Sequence, residues 1–333
     1  MKQKKLGANG ADVSVLGIGA MSFADFYGPT TEENSFAIME AAMEAGVTHI
    51  DTSNVYGAGR SEKAIGAFLK SRGQAARDHF VIATKAGITS DAEGNRCYDN
   101  SAAHFEAELD KSLERLGVDC VDLFYMHRYE SARPIEEVAE ALGALVKKGK
   151  TKAIGLSEIA PSTLRRAAAV HPVAAVQSEY SLATRAPELG LLQACDELGV
   201  AFVAFSPVGR SLLTDTPIPE ERIPDLAFMK TNPRFMAPNY AYNIAATEPF
   251  RALAAEMGMP AASLAIAWTL HKGGHVLPIP GTRSTAHFAE LVQGANAELS
   301  DADIDRIEQV LPVGWAYGDR YNAVQWVGPE RYC

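Results

Sequence analysis

The chain is short of the features that most directly advertise a function. It has only four cysteines, Cys97, Cys120, Cys195 and Cys333, scattered over 333 residues. None forms a CxxC pair, so neither a zinc knuckle nor a dithiol redox centre is signalled. Reduced thiols in a cytoplasmic protein are the expectation. No apolar run approaches the ~20 residues that span a bilayer, so no membrane partner is expected. The opening MKQKKLGANG is basic but has no apolar stretch, so no secretory leader is expected either. Positive charge is also scarce. Lysine and arginine total 31 against 41 acidic residues, a formal net charge of −10, which argues against nucleic acid as a partner.

Several motifs are missing too. LGIGAMS supplies Gly17 and Gly19 but has Ser22 where a dinucleotide-binding GxGxxG needs its third glycine. No GxxxxGK occurs. GLSEI puts Ile159 where a serine-hydrolase elbow needs glycine. His49, His127 and His275 are scattered with no HxH pair, so no resident metal is expected.

What is present is regular. Hydrophobic residues make up 47% and charged residues 22%, ordinary for a globular chain able to build its own core. No linker divides it, so residues 1–333 read as one domain. After an N-terminal hairpin turning at Ala8-Asn9-Gly10, short apolar runs alternate with helical patterns. The runs are LGIGAMS, IDTS, IATK, LFYMH, IGLS, VQSEY, AFSP and LPIPG. The intervening helices show start and stop residues: Thr31 and Gly46 bracket the first, Ser61 offers a cap to the second, and Pro134 opens the fourth. Eight β-then-α units predict a closed α/β barrel, (β/α)8, of parallel strands. Residues 209–245 follow the seventh strand. They carry five prolines and no clear period, and predict a long loop that serves as a flap over a ligand.

A barrel does its chemistry at the C-terminal ends of its strands. There the sequence delivers Asp51 and Tyr56, Lys85, His127, Ser157 with Glu158, Gln177, Ser206, and Pro280 to Arg283. An ammonium beside a phenol lowers its pKa, and an aspartate holds that ammonium in place. Histidine can bind a substrate oxygen. Together these groups predict a proton donor for an oxygen becoming an alkoxide. Carbonyl reduction needs such a donor, plus a hydride that no side chain can supply.

HIDTSNVYG, IATKAG, LFYMHR, IGLSE, VQSEYSL, AFSPVGR and LPIPGTRS, in this order over roughly residues 1–300, resemble the aldo-keto reductase superfamily. The late PRF with Tyr240 and Asn243 resembles its bacterial, plant and yeast branch, which includes potassium-channel β subunits. The resemblance implies a barrel that reduces aldehydes and ketones with NADPH, or runs the reverse oxidation. Tyr56 would be the acid, tuned by Lys85 and Asp51, with His127 orienting the carbonyl. Gln177 and Ser157 would hold the nicotinamide carboxamide, and Tyr180 would stack on the ring. Gly19, Met21 and Phe205 would join them. Ser206, Pro207, Val208, Gly209 and Arg210 would embrace the pyrophosphate. Pro280, Gly281, Thr282 and Arg283 would lead to the adenosine 2′-phosphate, with His287, Glu290 and Leu291 beside it.

Three departures matter. Glu158 stands where the family commonly has Asn. It can accept from the carboxamide but not donate to it. His287 stands for Arg and Leu291 for Asn, while Glu290 matches, which weakens the case for the 2′-phosphate and leaves NADH possible. Met21, Phe23, Tyr27, Arg128 and the 209–245 loop would line an apolar substrate slot. The alternative is a cofactor-binding regulatory subunit with slow turnover, although nothing resembles an added inactivation segment. The partner is a small carbonyl or alcohol, and a homo-oligomer is left open.

Overall fold

The short apolar runs become strands because each is buried on both sides, where β-branched and small residues fill a sheet covered by helices. In the structure, a computed structural model that describes every residue except Asn9 and Cys333, these are β1 Gly17–Gly19, β2 His49–Asp51, β3 Val81–Ala86, β4 Leu123–Met126, β5 Ile154–Ser157, β6 Val173–Glu179, β7 Ala201–Phe205 and β8 Val276–Ile279. They pair in chain order, all parallel. The cylinder is drawn shut where the Gly19 N–H donates to the Pro280 carbonyl at 2.9 Å.

The two-residue strand period sorts side chains into two layers. Ala83, Leu123, Tyr125, Ala175, Val203 and Leu277 point inward and form the barrel's interior. Their neighbours Ile82, Phe124, Val176 and Phe202 point outward against the helices. Continuing the inward series to the strand ends gives Asp51, Lys85, His127, Ser157, Gln177 and Phe205. The packing register of the core therefore sets which groups the mouth receives.

The N-terminal hairpin pairs Gln3–Lys5 with Asp12–Ser14. Leu6 and Val13 join the interior cluster, so the hairpin plugs the end opposite the site. Its turn includes Asn9, outside the described residues. Thr31 caps helix Glu32–Ala45, which stops at the left-handed Gly46. Ser61 does not cap its helix, which begins at Arg60 behind Gly59. Its hydroxyl instead donates to the Ala20 carbonyl at 2.8 Å, stitching that helix to the segment after β1.

Elements that went unread in the sequence include helix Gln74–His79, the hairpin Ile88–Ser90/Arg96–Tyr98 after β3, helix Asn239–Glu256 and helix Asp301–Val310. The 209–245 loop is more ordered than its prolines suggest. It holds three 3-10 turns and a small core of its own that includes Leu212, Ile223, Leu226, Met229, Phe235 and Tyr240. Among the described residues no single helix is long and apolar enough to cross a membrane. Cys97, Cys120 and Cys195 are free.

Gly155 on β5 faces inward, where a Cβ would lie 2.4 Å from the Tyr125 ring. Tyr125 is fully buried and cannot move aside. Gly155→Ala is expected to destabilise the fold by about 1–3 kcal/mol in urea unfolding, the usual cost of overpacking a filled interior.

Candidate active site

β2 and β3 lie side by side, so their inward residues meet. The Lys85 ammonium donates to an Asp51 carboxylate oxygen and, at 2.7 Å, to the Thr52 carbonyl. The other Asp51 oxygen accepts from the Gln177 amide at 2.7 Å. Lys85 is wholly buried and Asp51 nearly so. Burial holds the Lys85 pKa below its ordinary value, with Asp51 pulling the other way.

Tyr56 returns from the loop to this pair. Its ring lies 5.2 Å from the Lys85 ammonium and meets the His127 ring edge-on at 5.8 Å. The His127 Nδ1 is 3.0 Å from the Ser53 hydroxyl. Burial, then Arg128, Lys85 and Arg96, push the His127 pKa well below the usual imidazole range.

One expectation is reversed. Lys85 does not bring the Tyr56 phenol down. Burial raises it, and Asp51 raises it further. Desolvation is the larger cause, because burial disfavours the charged phenolate. The cation that opposes the rise is Arg128.

A cavity of about 640 Å³ opens at this end of the barrel. Asp51, Tyr56 and His127 border it, and Lys85 lies beneath them. Of the expected cofactor residues, Gly19, Met21, Gln177, Phe205, Ser206, Pro207, Val208, Arg210, Pro280, Gly281, Thr282, Arg283, His287, Glu290 and Leu291 border it, as do Tyr27 and Arg128 from the substrate set.

Five expected residues do not. Tyr180 follows the inward Glu179, so the strand period turns it outward. It packs on Phe202 and Trp268 and donates to Glu188 at 2.7 Å. Phe205, on the inward series, borders the cavity instead. Phe23 is buried in the core, and Gly209 is buried in the turn behind the cavity wall. Ser157 is taken by Arg128, which donates to its hydroxyl at 3.1 Å. Glu158 is sealed in, accepting from the Glu179 N–H at 2.9 Å and from the Arg320 guanidinium. Burial would raise its pKa, but Arg320 and Arg128 outweigh burial and hold it below the usual carboxylate range. Both Glu158 oxygens thus already have partners away from the cavity.

Arg320 belongs to a segment the sequence reading passed over. Residues 312–332 cross the barrel mouth. Tyr321 and Gln325 border the cavity, and the Tyr321 hydroxyl accepts from Arg128 at 3.3 Å. The Arg320 guanidinium stacks between Tyr321 and Trp326, 4.7 and 4.6 Å from their ring centroids. Glu330 accepts from the Ala160 N–H at 2.7 Å and the Thr163 hydroxyl at 2.9 Å, which anchors the end of the segment. The aromatic density of GWAYGDRYNAVQW was the signal for it. Arg96 and Phe228, from the β3 hairpin and the long loop, were also missed.

Away from Tyr56 the cavity reaches the N-terminus of helix Thr285–Asn296, capped by Ser284. Free N–H groups there favour an anion. Arg283 sits beside it, its pKa lowered by burial and by nearby Arg222. Arg283 beside a helix N-terminus fits a phosphate. The left-handed Ser206 and Arg210 shape the wall between the two ends. The Arg210 fork itself is spent on Glu179 at 2.5 Å, so only the backbone of that turn is available. A single cavity with an acid at one end and a phosphate-favouring end opposite suits a dinucleotide.

A model of the Aldo/keto reductase family matches residues 15–312. The chain is 36% identical over 313 residues to the Schizosaccharomyces pombe protein named aldo-keto reductase yakc, whose name includes NADP(+), covering 93% of this chain and 92% of that one. It is 38% identical over 318 residues to a probable aldo-keto reductase of Glycine max, covering 95% and 91%. The fold superposes on a glycerol dehydrogenase from Gluconobacter oxydans with TM-score 0.80 at 26% identity, covering 93% and 94%. It also superposes on an aldo-keto reductase from Bacillus halodurans, solved in its holo form, with TM-score 0.77 at 26% identity, covering 98% and 99%.

Removing Arg320 would leave Glu158 buried with its best partner gone. Arg320→Ala is expected to cost about 3 kcal/mol in equilibrium unfolding, and Glu158→Gln in the same chain to recover part of it. A loss below ~1 kcal/mol would mean that this pair does not hold the C-terminal segment.

Proposed function

The chain belongs to the aldo/keto reductase family, and from that membership we propose how its own residues divide the work. The protein is an NADP-linked oxidoreductase that reduces aldehydes or ketones to alcohols, or runs the reverse oxidation. The observation that carries the residue assignment is the convergence of Tyr56, His127 and the Asp51–Lys85 pair on one cavity. Bound at the Ser206–Arg210 turn, Gln177, Phe205 and Arg283, the reduced nicotinamide would supply the hydride.

Tyr56 donates its phenolic proton to the substrate oxygen. A raised pKa suits this role, because the phenol keeps its proton until a stronger base, the developing alkoxide, stands beside it. The Lys85 charge then lies close to the phenolate that remains. His127 acts as a neutral donor. We assign the Ser53 hydroxyl, 3.0 Å from Nδ1, as the donor to that nitrogen, an assignment that puts the imidazole proton on Nε2, toward the cavity. Substrate oxygen is thus held between two donors, Tyr56 O–H and His127 Nε2–H. The reverse reaction uses the same groups with the proton returning to Tyr56. Arg283 and the 285–296 helix N-terminus favour the phosphorylated coenzyme.

Tyr56→Phe is expected to lower kcat for carbonyl reduction by about 10²–10⁴-fold while NADPH binding, read by fluorescence, stays within about twofold. A variant that kept most of its rate would rule Tyr56 out as the proton donor. The pH dependence follows from the directions of the two shifts. His127 is lowered and so stays neutral through the range where a free imidazole titrates. Tyr56 is raised and so stays protonated above it. kcat/KM for reduction is therefore expected to be flat from about pH 6 to 9, with no step near the ordinary imidazole pKa of about 6.5. A protonation step in that range would return a titrating His127 to the mechanism. The alcohol direction belongs in the same assays, since the solved relative from Gluconobacter oxydans is a glycerol dehydrogenase.

A further inference from the structure

Arg128 is a buried cation without an anion. It follows His127 at the tip of β4 and is about nine-tenths buried. Its guanidinium donates to the His127 carbonyl at 2.7 Å, the Ser157 hydroxyl at 3.1 Å and the Tyr321 hydroxyl at 3.3 Å, all neutral acceptors. Among the described residues no carboxylate lies within ion-pair distance of it. The nearby acids are committed elsewhere: Asp51 to Lys85, Glu158 to Arg320, and Glu179 to Arg210. A buried charge left in this state is costly, and proteins rarely bury a guanidinium unpaired.

Arg128 borders the cavity shared by Tyr56 and His127. So does Arg96, on the exposed hairpin after β3, which likewise has no acidic partner among the described residues. Arg96 is near enough to His127 to act on it electrostatically. Two unpaired guanidiniums therefore flank the proton-donating end of the cavity, where the sequence suggested an apolar slot.

We propose that the substrate is an aldehyde or ketone bearing a carboxylate, and that Arg128 and Arg96 receive that group while Tyr56 and His127 hold the carbonyl oxygen. This rests on the carbonyl-reductase reading above. Arg128 supplies a fork whose orientation is fixed by Ser157 and Tyr321, and a guanidinium fork matches a carboxylate better than any neutral group. Arg96, on a solvent-facing hairpin, attracts the anion and closes on it from the rim.

The test compares kcat/KM with NADPH for 2-, 3- and 4-carboxybenzaldehyde, each against the methyl-substituted neutral aldehyde, in wild type, Arg96→Gln and Arg128→Gln. Wild type is expected to favour at least one carboxylate isomer by about tenfold or more, through KM rather than kcat. That ratio is expected to fall as salt is added and in both variants. Equal efficiency for charged and neutral aldehydes in all three pairs would overturn the proposal. So would a carboxylate preference that survives both substitutions. Turnover of the neutral aldehydes with no such preference would sink the anion site and leave the reductase reading standing. No turnover of any aldehyde would sink both. Should Arg128→Gln fold poorly, Arg96→Gln carries the test, since that side chain is exposed.

Discussion

The ion pair between Asp51 and Lys85 at the closed-off floor of the barrel mouth is the contact on which the rest of the site depends. Lys85 is wholly buried and Asp51 nearly so, and each charge would cost several kcal/mol to bury alone. Their attraction offsets that cost only because the remaining valences are met, by Thr52 on one side and Gln177 on the other. The pair also positions what lies above it. The Lys85 carbonyl accepts from the Asn54 N–H at 3.1 Å. The loop carrying Tyr56 is thereby tied to β3, and the phenol, the imidazole and the ammonium are set in one geometry.

A second tier of charge surrounds this floor. Glu158 and Glu179 sit among Arg210, Arg234 and Arg320, which come from the long loop and the C-terminal segment. The arginines outnumber the acids, and Arg128 adds to the surplus. A chain of net charge −10 thus concentrates positive charge at one opening, which favours anionic ligands there while the remaining surface repels them. The same network draws three distant stretches of chain into one wall, so the shape of the cavity depends on segments that sit far apart in sequence.

Much of this was legible beforehand. The eight strands could be read because strands buried on both faces are short uninterrupted apolar runs; Asp51, Lys85 and His127 because each closes such a run, and Tyr56 because it lies in the loop after one. The direction of Tyr180 was legible too, since Gln177 and Glu179 share a face and Tyr180 cannot. Reading it as a stacking residue overlooked the strand period, and Phe205 occupies the inward series instead. Glu158 misled for another reason. Its partner Arg320 lies 162 residues away, and no local pattern announces an ion pair across that separation.

The sequence by itself determined the alternation of strand and helix, the inward register of each strand, and hence which side chains crowd the mouth. These follow from local hydrophobic periodicity, which every stretch of chain carries in itself. Only the tertiary structure decided what those side chains do to one another. Burial, rather than a neighbouring ammonium, governs the Tyr56 proton. Arg320 claims Glu158, and Arg128 is left without an acid. Desolvation and ion pairing depend on distance through space, and the chain's order does not encode that distance until it has folded.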